Sequence, residues 1–350
     1  MTLEETIQHI VPVDQESMTV AKNHWDSLSK PLGSLGQLEQ ALIQIAGIQR
    51  TADIHIDRKA LVIMCADNGV VEEGVTQCGQ EVTATVAENF LDEKSCVAIM
   101  CRRAGTLIRP IDIGMAVDTP RVEKHKIAYG TRNMVKEPAM TREQAIAAIE
   151  VGIALAEDLQ AQGYEILATG EMGIGNTTTS SAMTAVLLDM DVETVTGRGA
   201  GLSSAGLQRK IQAIRQAIAC NQPDPTDPLD VLSKVGGLDI AGMCGLFLGG
   251  AALKMPVVMD GFISQVAALT AVRLVPECAD YILASHVSGE PGAHILLEEL
   301  QKEAFLTCGM RLGEGSGAVA LFPILDFASD IYHKMSTFEQ ADVEAYQPLS

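Results

Sequence analysis

The stretch YEILATGEMGIGNTTTSSA, residues 164–182, opens on an apolar, β-prone run, turns through Gly170, Gly173 and Gly175, and passes straight into hydroxyl-bearing residues that start a helix. A strand, a tight glycine turn and a helix make the repeating unit of a parallel sheet. Four other runs have the same shape: LVIMCADNG from Leu61, LIRPIDIG from Leu107, PVVMDG from Pro256 and YILASHVSGE from Tyr281. The alternation predicts an α/β fold, a doubly wound and mostly parallel sheet with helices on both faces. Ligands of such sheets bind beyond the carboxyl ends of the strands, so the loops at 67–69, 112–114, 170–175, 260–261 and 285–292 are expected around one crevice.

Helical patterns fill the intervals. Ser34 reads as the N-cap of LGQLEQALIQIAGIQR, and Thr141 with Gln144 makes a capping box before AIAAIEVGIALAEDL. The two ends of the chain carry helical patterns without sheet-like runs. They predict a small helical domain from residues 1–29 with 326–350, beside a large catalytic α/β domain over 30–325.

With 350 residues, 47% of them hydrophobic, the chain can bury a large core. The apolar stretch 240–253 is too short for a membrane span and reads as a buried helix. The opening MTLEETIQHIVPVDQ mixes acids with apolar residues as an amphipathic helix does, and a cytoplasmic protein is expected. A net charge of −20 repels nucleic acid and anionic membrane surfaces, so any phosphate must be captured locally. Eight scattered cysteines without a CxxC pair read as reduced thiols, and the histidines show no metal-ligand spacing.

Gly170 and Gly175 match the glycines of a phosphate loop, but Asn176 replaces the lysine ahead of Thr177. That lysine reaches β- and γ-phosphates; losing it suits a monophosphate cradle, although an ordinary capped helix start gives the same pattern. GRGAGL (197–202) and GEGSGA (313–318) add further glycine loops, and Lys210 on the helix after the first could reach a phosphate as a point charge. Ser288 and Gly289 precede a helix with Pro291 near its first turn. No paired acidic motif for magnesium pyrophosphate follows any strand, and no GxGxxG opens the sheet. Glu171 is the anomaly, a carboxylate in a turn shaped for an anion.

Taken together and in order, KPLGSLGQLE (30–39), ADNGVVEEGV (66–75), QEVTATVAENF (80–90), GEMGIGNTTTSSA (170–182), GRGAGL, GGLDIAGMCG (236–245), DGFISQVAAL (260–269), SHVSGEPGAH (285–294) and RLGEGSGA (311–318) resemble the nicotinate-nucleotide:dimethylbenzimidazole phosphoribosyltransferase family over nearly the whole chain. The resemblance implies transfer of phosphoribose from nicotinate mononucleotide to a benzimidazole with inversion at the anomeric carbon, in cobalamin biosynthesis. It gives the general base as Glu314 and implies a homodimer, for which the apolar stretch 240–253 with Met255 is a second argument. The expected phosphate and ribose contacts are Glu171, Gly173, Gly175, Asn176, Thr177, Gly199, Lys210, Ser288 and Gly289; those of the base are Glu72, Gln80, Leu312 and Gly313. No cofactor or metal is expected, and no partner beyond the small-molecule substrates and a second copy. Asn68 stands where the family commonly has histidine, and Gly79 where proline usually precedes the matched glutamine, which leaves the accepted base open. An N-glycosidic hydrolase or phosphorylase, or a nucleotide-binding protein without catalysis, would use the same phosphate loops.

Overall fold

In the computed structural model, which describes residues 1–346, β1 (Lys59–Ala66) is buried at every position. Its side chains alternate between two cores: Ala60, Val62, Met64 and Ala66 face one, Leu61, Ile63 and Cys65 the other. A strand covered on both faces keeps its period of two but needs apolar residues on each side, hence the unbroken apolar run. β2 (Leu107–Gly114), β3 (Glu123–Lys124), β4 (Ile166–Met172), β5 (Val257–Met259) and β6 (Ile282–Ala284) complete a sheet of order β3-β2-β1-β4-β5-β6. Every pairing is parallel. The five runs read from the sequence each supply a strand; β3, a charged two-residue edge pairing only Ile111 with Glu123 and Asp112 with Lys124, carries no such signal.

α1 (Leu3–His9), α2 (Gln15–Ser27) and α3 (Gln37–Gln49) precede β1, and α4 (Glu81–Leu91) with α5 (Cys96–Arg103) lies between β1 and β2. α6 (Arg142–Ala161) leads into β4, and α7 (Asn176–Leu187), α8 (Val192–Val195), α9 (Ser204–Asn221), α10 (Pro228–Val235) and α11 (Leu238–Leu253) follow it. α12 (Phe262–Leu274) joins β5 to β6, and α13 (Gly292–Glu299) and α14 (Ser316–Lys334) close the chain. The Thr141–Gln144 capping box is present at α6. Ser34 is not a cap: α3 starts at Gln37 behind Gly36, which sits at φ 55. Glu39 replaces it, its Oε1 accepting from Leu35 N at 2.9 Å and from buried Lys30 Nζ at 2.7 Å.

α11 is buried on all sides, and glycines let it touch α6 backbone to backbone. A Cβ at Gly152 would stand 2.1 Å from Gly242 O, and one at Gly245 would stand 1.9 Å from Ile149 O. The rest of its surface meets α1, α12 and the strands β1, β2, β4 and β5. Its apolar excess is therefore consumed within the chain, and the stretch gives no reason of its own to expect a dimer.

The chain ends meet near α2. Trp25 is fully buried against Tyr332 in an edge-to-face pair, and His24 Nε2 lies 2.7 Å from Tyr332 O. α1 instead docks on α6, the Met1 ammonium reaching Glu157 at 3.0 Å. The part of the C-terminal helical segment expected at 347–350 lies outside the described residues.

Candidate active site

Beyond the carboxyl ends of β4, β5 and β6 lies a cleft of about 260 Å³. Three of the five strand-end loops reach it, supplying Gly173–Asn176, Asp260–Gly261 and His286–Ser288, and the turn at 311–314 closes it. The loops after β1 and β2 do not. Asp67 turns back to accept from Thr83 Oγ1 (2.6 Å) and Ala116 N (2.8 Å), and Asp112 pairs with Lys126 at 3.0 Å.

Glu171 is inside β4, paired with Met64, rather than in the turn. It is 8% exposed and points at the start of α7, where Asn176 Nδ2 donates to its Oε2. The same nitrogen donates to Asp239 Oδ2 at 3.0 Å, so one amide NH₂ bridges two buried carboxylates. Burial, and then the charge of Asp239, push Glu171 well above the usual carboxylate range. Burial likewise pushes Asp239 up to about 6.

Glu314 faces the cleft from a turn of three left-handed residues, Gly313, Glu314 and Gly315, at φ 86, 63 and 83. A non-glycine residue there costs about 1 kcal/mol and persists only where its surroundings hold it. Gly313 has no room for a side chain, since a Cβ would stand 2.4 Å from Glu171 Oε1. The Glu171 carboxylate thus lies against the turn, where the Glu314 backbone N–H bonds to it. Glu314 Oε2 is buried without a partner. Burial raises its pKa; the Val97 N–H works against that rise and Asp260 adds to it.

Lys210, fully buried, reaches across from α9 to donate to Thr177 Oγ1 at 2.9 Å and to Gly197 O at 3.1 Å. An ammonium has three N–H groups, so one is left for an anion. Burial pulls its pKa down to about 8, against the pull of Glu290. At the start of α7 Asn176 N donates to Gly173 O at 3.1 Å and Thr178 N to Gly175 O at 2.9 Å, which leaves the Thr177 N–H, beside its own hydroxyl, for an anion. Gly199, at φ 53, completes the hollow beside Thr177.

A family model described as Phosphoribosyltransferase matches residues 10–343. The nicotinate-nucleotide–dimethylbenzimidazole phosphoribosyltransferase of Acetivibrio thermocellus is 49% identical over 346 residues, covering 98% of this chain and 99% of its own. That of Ruminiclostridium cellulolyticum is also 49% identical, over the full length of both. The chain belongs to the nicotinate-nucleotide:dimethylbenzimidazole phosphoribosyltransferase family. The crystal structure of CobT from Thermus thermophilus superposes on this phosphoribosyltransferase with a TM-score of 0.90 at 38% identity, over 95% of this chain and 100% of that one.

The phosphoribosyltransferase gathers Glu171, Gly173, Asn176, Thr177, Gly199, Ser288, Leu312, Gly313 and Glu314 on the cleft. Lys210 lies just behind Thr177, Gly175 caps α7 at φ 97, and Gly289 lines an adjoining hollow of about 680 Å³. The larger hollow lacks both Glu171 and Glu314. Glu72 and Gln80 do not line the cleft. Glu72 is a surface residue paired with Lys136 at 2.7 Å, and Gln80 Nε2 donates to Asn68 O at 3.1 Å. Val86, one turn and a half further along α4, is the residue of that segment that does.

Asp239, Asp260, His286, Glu290 and Arg311 were missing from the candidate residues. Each stands in a motif already singled out, yet its role depends on contacts across the sheet that no spacing reveals. Among the described residues no group of three or more His, Cys, Asp or Glu is arranged to hold a metal ion. No helix among them is long and apolar enough to cross a membrane.

Proposed function

We propose that the protein transfers the 5-phosphoribosyl group of nicotinate mononucleotide to 5,6-dimethylbenzimidazole or a related base, giving α-ribazole 5′-phosphate and nicotinate. The observation that carries the residue roles is the union, in one cleft, of a buried carboxylate in a glycine frame with a lysine-backed helix start. The C1′–N bond to nicotinate breaks and a C1′–N bond to the incoming base forms on the opposite face of the sugar. Nicotinate departs from a pyridinium and becomes neutral at nitrogen, so no proton need be delivered to it. The incoming ring N–H proton passes to Glu314, whose raised pKa makes it a better acceptor than a surface glutamate.

Lys210, the Thr177 hydroxyl and N–H, Gly199 and Ser288 hold the 5′-phosphate. Asn176 acts in a different way from a phosphate ligand, its amide being taken by Glu171 and Asp239. Glu171, so fixed, faces the ribose and the positive charge that builds at C1′. Leu312 and Gly313 flank the base with Val86. The working form is a cytoplasmic homodimer, and light scattering should give twice the chain mass of 37.2 kDa.

Incubation with nicotinate mononucleotide and a panel of bases, with products resolved by mass, tests the reading. Ribazole phosphates should form only when a base is present. Release of nicotinate at the same rate without any base would make the protein a hydrolase instead.

A further inference from the structure

The turn that carries Glu314 runs into α14, whose N-cap is Gly315, a residue with no side chain to meet the helix's first N–H groups. Another strand meets them. Asp260, 3% exposed just past β5, accepts through Oδ1 from Gly317 N at 2.8 Å and Ala318 N at 3.1 Å, and through Oδ2 from Gly315 N at 3.3 Å. Its own N–H donates to Ser264 Oγ at 3.2 Å. Ser264 Oγ is hydrogen-bonded in turn to Thr169 Oγ1 at 2.5 Å, in β4 two residues before Glu171. His286 covers the other side: its Nδ1 lies 3.0 Å from Ser285 Oγ, and its ring packs so closely on Gly317 that a Cβ there would stand 1.9 Å from Nδ1.

We infer that Asp260 is the positioning residue for Glu314, gripping the backbone on the C-terminal side of the base and tying it, through Ser264 and Thr169, to the strand that carries Glu171. The inference rests on Glu314 being the proton acceptor. The grip supplies what a left-handed Glu314 between two glycines lacks, a reason to stay in one conformation. Three charge-assisted N–H···O contacts from one carboxylate fix a turn more firmly than neutral ones would. They also keep two glutamates of unlike duty at a constant separation while one base leaves the cleft and another enters.

The test is a double-mutant cycle with Asp260→Asn and Glu314→Gln, read as kcat and KM for each substrate and as the pH profile of kcat/KM. The titratable and charged groups that line the cleft with Glu314 are Asp260 just past β5, Glu171 from β4, and His286, Glu290 and Arg311 from the loops; the variant alters the charge of Asp260 alone. Asp260→Asn should lower kcat about 10- to 100-fold, the scale of a misplaced reacting group, with KM for the nucleotide within about threefold. Removing the Asp260 charge should move the acid limb to lower pH, because that charge adds to the rise of the Glu314 pKa. In the Glu314→Gln background the same substitution should cost nothing further. A loss that adds in full to that of Glu314→Gln, or a KM effect with kcat unchanged, overturns the positioning role and leaves the base in place. Full turnover in Glu314→Gln alone removes the base, and this inference with it. If Asp260→Asn does not fold, Ser264→Ala, which frees the Asp260 backbone while keeping its carboxylate, goes through the same cycle with the same criteria.

Discussion

Glu314, Lys210 and Asp239 are each buried in a way that shifts a proton equilibrium, and each shift makes a different demand on pH. Glu314→Gln keeps the shape of the turn and removes the proton acceptor. Turnover should fall by about 10² to 10⁴, with the dissociation constant of nicotinate mononucleotide nearly unchanged by calorimetry. In the wild-type enzyme the acid limb of kcat/KM should lie above the ordinary glutamate value, since burial has raised the pKa of the base. Lys210 is held down at about 8 and a bound phosphate favours its charged form, so nucleotide affinity should weaken as pH rises through about 8. Affinity flat between pH 7 and 9.5 would show that the ammonium does not meet the phosphate. Asp239 has the opposite bearing on stability. Its folded pKa, about 6, is raised above its unfolded value, so the native state binds the extra proton and stability falls as pH climbs from about 4 to about 6. Asp239→Asn should therefore stabilise the protein by up to about 3 kcal/mol above pH 6 and by almost nothing below pH 4, as read by thermal melts at the two pH values.

The elements that were legible in the sequence are those whose local chemistry agrees with their surroundings. The five glycine-terminated runs and the Thr141–Gln144 box belong to this group, because burial on both faces and a reciprocal cap are written in neighbouring residues. Ser34 misled because the α3 start is served from inside the helix by Glu39, which sequence cannot distinguish from an ordinary first-turn acid. Glu171 was placed one step too late, since the strand continues through Gly170 into a residue type that parallel strands rarely bury. The α6–α11 contact shows the same limit. Glycines at 152, 245 and 249 carry no side-chain signal in the sequence, yet in three dimensions they are the contact surface. Gly245→Ala should destabilise the protein by roughly 3 kcal/mol, at the upper end of overpacking costs, because its Cβ would overlap a backbone carbonyl that cannot rotate aside. Urea unfolding measures this directly; a change below about 1 kcal/mol would mean that α6 can shift.

At the scale of the molecule, the strand order and the order of motifs lead to the same place. The glycine loops pointed to Lys210 and the α7 start and the family resemblance to Glu314, which the structure brings together, whereas Glu72 and Gln80 lie apart because the loops after β1 and β2 turn away from the cleft. The net charge of −20 is spread over a surface rich in carboxylates, while the cationic end of Lys210 is withdrawn to full burial. An anionic substrate thus meets cations at the cleft itself, exposed Arg311 in its lining and buried Lys210 behind Thr177.

The backbone contact between α6 and α11 has a consequence in time as well as in energy. Side chains that interlock can yield by turning about their own bonds, but Gly245 against Ile149 O has nothing to turn. The two helices therefore separate together or not at all. In hydrogen–deuterium exchange the α11 amides should exchange only at the rate of global unfolding, while those of the exposed turn at 198–201 exchange through local opening many orders of magnitude faster. The buried helix pair and the yielding rim of the cleft would then appear as the slowest and among the fastest signals of the same chain.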